Sequence, residues 1–136
     1  MSATVIVAEN GLGRYQQEVK IGGHRLLADE PQSVGGNDAG PAPFDFLMAG
    51  LGACTSMTIR MYAERKQMPL THVEVVLSHS KTEVDGKLLD RIERQITLEG
   101  ELDQEQRERL LEIANRCPVH RALAQPLVVE TMLTNP

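Results

Sequence analysis

Residues 43–66, PFDFLMAGLGACTSMTIRMYAERK, decide the fold. Leu47, Leu51, Cys54, Thr58 and Met61 recur at spacings of three and four, which places them on one face of a helix. Pro43 suits the first helical turn, where its missing N–H would have no partner anyway. The helix is predicted to end near Gln67, before Pro69. Ala49, Gly50, Gly52 and Ala53 are small enough to let a second backbone come close.

Upstream of this helix the pattern is that of strands. Residues 4–8 (TVIVA) read as one, with a turn at Asn10-Gly11. Tyr15, Gln17, Val19 and Ile21 alternate with polar positions over 15–21, and a turn at Gly22-Gly23 returns the chain along 24–29. Residues 33–43 (SVGGNDAGPAP) lack apolar periodicity and form a loop too long for a simple connector. Downstream, Val73, Val75 and Leu77 point one way within 71–83. Asp85-Gly86 marks a two-residue hairpin, and Leu88, Ile92, Ile96 and Leu98 share a face in 88–98. Asp103 with Gln106 forms a capping-box pattern ahead of a helix over 104–116 carrying Leu110 and Ile113. Cys117-Pro118 breaks that helix, VHRALA makes a short further turn, and 127–133 (LVVETML) reads as a last strand. The order implies one α+β domain over 1–136, with antiparallel pairing around a long central helix.

The chain has 136 residues, with 14 Lys and Arg against 19 Asp and Glu, a net charge of −5. That balance argues against general nucleic-acid binding, which needs cations against phosphates. Hydrophobic residues make up 41% and aromatics 3%, with no Trp, so the core is aliphatic and a covering partner chain is expected. No run approaches the ~18 apolar residues of a membrane span, and MSATVIVAEN lacks the marks of a signal peptide, so a cytoplasmic location is expected. Two cysteines are too few for a disulfide scaffold or a cysteine-only zinc site, but enough for a redox pair.

Cys54 reads either as a core thiol or as a reactive thiolate in a pocket. Cys117 precedes Pro118, so its sulfur falls at a helix N-terminus, where the dipole favours thiolate. His24, His72, His79 and His120 make no metal pattern, and Cys117 with His120 is a weak ligand pair. His120 could serve as base in a Cys-His hydrolase with Asp45 or Asp38 as orienter. Arg14, after Gly13, reads by itself as a solvated charge at a strand edge. The loop lacks the ending of a phosphate-binding P-loop.

Taken together, GGNDAGPAP (35–43), DFLMAGLGAC (45–54), the T-x-R-M-Y-A-E-R-K run from Thr58 and CPVHRAL (117–123) resemble the OsmC/Ohr family of osmotically inducible and organic-hydroperoxide-resistance proteins, in its CPVHR-containing members. The resemblance covers essentially the whole chain. It implies an OsmC-like intertwined homodimer with the central helices at the subunit interface. It also implies a thiol peroxidase in which Cys54 attacks the peroxide, Cys117 resolves it as a disulfide, and Arg14 favours the Cys54 thiolate. An external dithiol would restore the thiols, with no metal or flavin required. Leu47, Leu51, Met61 and Phe44 would line an apolar site suited to an organic hydroperoxide.

Ohr-type members carry a Glu ten positions before the first Cys, where this chain has Phe44. The nearest carboxylate, Asp45, is nine residues from Cys54 and roughly 180° around a regular helix, so it is expected to serve the helix N-terminus. His120 and Arg121 are auxiliary candidates for the missing function. A redox-sensing or apolar small-molecule-binding protein on the same fold is the alternative to an enzyme.

Overall fold

The computed structural model describes residues 4–134. The chain divides into two compact units, one reaching to Ala49 and one beginning at Gly50.

In the N-terminal unit, strands β1 (Val5–Glu9), β2 (Gln17–Ile21) and β3 (His24–Ala28) form an antiparallel sheet in the order β1-β2-β3. Val7 pairs with Val19, and Val19 with Leu26. The expected second strand is two residues shorter at its start, and Asp29 lies outside the third. Asp29 is buried, and its carboxylate accepts from the backbone N–H groups of Glu30 (2.8 Å), Asn37 (3.0 Å) and Ala39 (3.1 Å). One side chain therefore organises the glycine-rich loop, which opens with a 3-10 turn at Gln32–Val34. Burial opposes ionisation of Asp29, but the three N–H donors outweigh it and hold its pKa below the ordinary carboxylate value. The loop packs so closely that a Cβ on Gly36 would collide with the Glu30 carbonyl, and one on Gly40 with that of Leu27. Helix α1 (Pro43–Arg65) starts in this unit, and Asp45 accepts from the Ala42 N–H at 3.0 Å, so it serves the helix N-terminus as expected.

The C-terminal unit contains the rest of α1, a long hairpin of β4 (Leu70–Val84) and β5 (Lys87–Gly100), and helices α2 (Gln104–Ala114) and α3 (Pro118–Leu123). Asp85 and Gly86 both have positive φ, 51° and 77°, as a tight hairpin turn with right-handed strand twist requires. The capping box forms in full: Asp103 accepts from the Gln106 N–H, and the Gln106 side chain accepts from that of Asp103. α1 ends in a Schellman turn, with Met68 N–H bonded to Ala63 O and Gln67 N–H to Glu64 O; Gln67 takes φ 55°. The core is Ile59, Ala63, Leu70, Leu102, Leu110 and Ala114, with Val73, Ile96 and Leu98 packed against it.

Three expectations change. The buried face of α1 is Leu51, Thr55, Ile59 and Ala63. It is not the Leu47-to-Met61 stripe, since Met61 is 66% exposed and Leu47 38%. α1 carries apolar residues on more than one side, and the side that meets the hairpin is the one buried. Of the two helical glycines, Gly52 meets a neighbour, since a Cβ there would lie 2.7 Å from the Leu77 side chain, while Gly50 faces open space. Residues 127–133 form no strand. Val128 and Leu133 are 84% and 96% exposed, because no strand edge of the single chain supplies ladder partners.

Candidate active site

Cys54 sits half-buried on α1, its Sγ 4.0 Å from Thr58 Oγ1 one turn further on. Cys117 is completely buried where α2 has ended and Pro118 opens α3. Its backbone N–H still reaches Ala114 O at 3.4 Å, and its sulfur accepts from the His120 N–H at 3.4 Å, so it is the N-cap of α3. The two thiols, 63 residues apart in sequence, are near enough for each to shift the acidity of the other.

Their acidities diverge. Burial opposes ionisation of Cys54, but the nearby Cys117 thiol, Val119 N–H and Thr58 hydroxyl, together with the Arg94 charge, outweigh it and lower its pKa. Burial, and then the neighbouring Cys54, push Cys117 up. At Cys117 burial therefore outweighs the favour that a helix N-terminus gives a thiolate, and Cys54 is the more acidic of the two.

Arg94 is the residue that sequence reasoning missed. It is half-buried on β5, in phase with Ile92, Ile96 and Leu98. Its Nη1 donates to Thr55 Oγ1 (2.8 Å) and Ala114 O (3.3 Å), and its Nη2 to Asn115 Oδ1 (2.8 Å) and His120 Nδ1 (3.3 Å). Arg has no acceptor, so the His120 Nδ1 lone pair faces it and the ring hydrogen is on Nε2. Burial and the adjacent cation both lower the His120 pKa. The signal was present in the sequence: an Arg at an inward-phase position between two isoleucines.

The other candidates are dispersed. Met61 lines a cleft of about 320 Å³ with Thr58, Ile113, Arg116 and Pro118, beside the thiols, while Leu51 is buried in the α1 face. His120 and Arg121 line a smaller cleft of about 280 Å³, and Arg121 is exposed. The contact of the His120 ring is with Arg94, which gives a Cys-His hydrolase no support. Arg14, Phe44, Asp45 and Leu47 belong to the N-terminal unit, where Arg14 is exposed with its guanidinium 5.1 Å from the Tyr15 ring centre. Among the described residues no three His, Cys, Asp or Glu gather as a metal site, and no helix is long and apolar enough to cross a membrane.

The family model described as OsmC-like protein matches residues 35–132, a span that includes both thiols and Arg94. The chain belongs to the OsmC-like family. Solved structures agree in fold. An OsmC-like protein from Mycoplasma pneumoniae is 18% identical, with a TM-score of 0.76 over 91% of this chain and 88% of that one. An organic hydroperoxide resistance protein from Legionella pneumophila is 24% identical, with a TM-score of 0.66 over 88% of each chain. Another from Elizabethkingia anophelis is 17% identical, with a TM-score of 0.70 over 93% and 91%. No curated protein matches the chain.

Proposed function

We propose that this OsmC-like chain is a thiol-dependent peroxidase that reduces organic hydroperoxides, with Cys54 as the attacking thiol and Cys117 as the resolving one. The observation that carries the reading is the pair itself: a half-buried Cys54 whose pKa is lowered, beside a buried Cys117 whose pKa is raised. The Cys54 thiolate attacks one peroxide oxygen. An S–O bond forms, the O–O bond breaks, and the alkoxide leaves and takes up a proton to become an alcohol. Sulfur is oxidised to sulfenic acid by the two electrons that reduce the peroxide. Cys117 then attacks the sulfenic sulfur, an S–S bond forms, and the hydroxyl leaves as water. An external dithiol returns both thiols by exchange.

Arg14 is assigned the role of stabilising the Cys54 thiolate, by resemblance to Ohr-type members. Leu47, Leu51, Met61 and Phe44 are assigned to the organic part of the substrate. The functional form is a cytoplasmic homodimer. The exposed apolar residues Val5, Ile6, Val7, Met57 and Met61 and the unpaired 127–133 segment support that assembly, because they are surface a second copy would cover.

The test is an intact-mass measurement after one equivalent of an organic hydroperoxide. The expected result is a loss of two hydrogens, mapped to a Cys54–Cys117 peptide, with turnover abolished in Cys54→Ser. Peroxide that leaves both thiols free refutes the reading.

A further inference from the structure

We infer that Arg94 is a positioning residue that clamps the segment from Ala114 to His120 onto α1, so that the second thiol is held ready to close onto the first. The inference rests on the two-thiol reading above. Four contacts carry it. Thr55, which anchors one side of the guanidinium, is the residue that follows Cys54 on α1. Ala114 O and Asn115 Oδ1, on the other side, belong to the end of α2 just before Cys117. His120, the fourth partner, is the residue whose backbone N–H donates to the Cys117 sulfur. One planar fork therefore reaches both sides of the thiol pair and touches neither sulfur.

The geometry distinguishes this role from simple satisfaction of a buried cation. Every acceptor is within one to three residues of Cys54 or Cys117 in sequence, and together they come from three elements. Closure of the disulfide requires the two segments to meet without first searching for each other. Loss of the fork frees the Ala114–His120 segment and lengthens the life of the oxidised Cys54.

The experiment compares Arg94→Met, Arg94→Lys and Leu110→Ala, the last a core variant one turn before Ala114 that loosens the packing but leaves every partner of the fork in place. Two rates are read: oxidation of Cys54, and closure to the disulfide. Diamide serves as oxidant alongside an organic hydroperoxide. A thiolate adds to its N=N bond, and the second thiol displaces the hydrazine to give the disulfide, so closure is read without any peroxidase activity. Arg94→Met is expected to close about tenfold more slowly, the loss of one charge-assisted hydrogen bond expressed as a rate. Peroxide-treated Arg94→Met accumulates Cys54 sulfinic acid, because the sulfenic acid waits. Arg94→Lys keeps the charge without the fork, so the pH profile of Cys54 alkylation stays near wild type while closure remains slow. Leu110→Ala closes at the wild-type rate. Closure of Arg94→Met at the wild-type rate, or equal slowing in Leu110→Ala, overturns the inference. Slow diamide closure in Arg94→Met, together with a wild-type protein that consumes no peroxide, refutes the peroxidase reading and leaves the clamp standing.

Discussion

Thr55→Val tests whether the polar centre under α1 is a true structural unit. Thr55 is completely buried, and its hydroxyl donates to Leu51 O at 2.6 Å while accepting from Arg94 Nη1 at 2.8 Å. Valine has nearly the same volume, so little cavity forms. The substitution removes a hydrogen bond to a charged group, worth about 1.5–3 kcal/mol. The added methyl recovers about 0.8 kcal/mol by burial. The net expectation is a loss of about 1.5 kcal/mol from these two quantities. With an ordinary urea dependence, that lowers the denaturation midpoint by about 0.5–1.5 M, read by far-UV circular dichroism at fixed protein concentration. A double-mutant cycle with Arg94→Met then isolates the pair, and a coupling of about 1 kcal/mol is expected for two groups in one network. Stability of Thr55→Val at or above wild type, or strict additivity in the cycle, refutes the reasoning.

Three further outcomes follow from the same geometry. Removing the neighbouring thiol in Cys117→Ala moves the pH profile of Cys54 alkylation to higher pH, as measured with iodoacetamide on the reduced protein; an unmoved profile contradicts the influence of one thiol on the other. Gln67→Gly stabilises the protein by about 0.5–1 kcal/mol in urea denaturation, because the left-handed backbone at φ 55° suits glycine and its bonds survive the change. Asp29 has a depressed pKa in the folded chain, so the unfolded chain takes up its proton first. Its contribution is complete above the ordinary carboxylate range and is lost as pH falls below about 4. Asp29→Asn flattens that part of the stability profile, and a slope equal to wild type would show the carboxylate to be without effect.

What could be read from the residues divides along physical lines. The Asp103–Gln106 capping box and the Asp85-Gly86 turn are local chemistry, in which the residues that specify the structure are those that form it. The long helix was equally legible in its ends, Pro43 and the turn at Gln67. Its inner face was not, because Leu47, Met57 and Met61 lie on other sides of the helix and periodicity cannot choose among apolar sides. Cys54 and Cys117 were legible as a pair, but which of them is the more acidic depends on burial and on the groups around each sulfur. Arg94 stayed hidden because strand phase tells which way a side chain points, not which carbonyls from distant elements will meet it. The 127–133 run carries strand-forming residues, yet a strand exists only where another edge accepts its hydrogen bonds.

The β4–β5 hairpin has a mechanical consequence. Its 15-residue first strand is about 50 Å long in extended form. Only the half nearer the core, with Val73, Ile96 and Leu98, packs against anything apolar, while residues 83–91 at the far end are exposed on both strands. A two-stranded ribbon alone is marginal in water. Opening therefore starts at the Asp85-Gly86 tip and runs inward. Amide hydrogen exchange should trace a gradient along the ribbon, fastest around the turn and slowest beside Val73, Ile96 and Leu98. Arg94, opposite Leu77 at the middle of the ribbon, lies inward of the segment that opens first, so fraying at the tip leaves its contacts undisturbed.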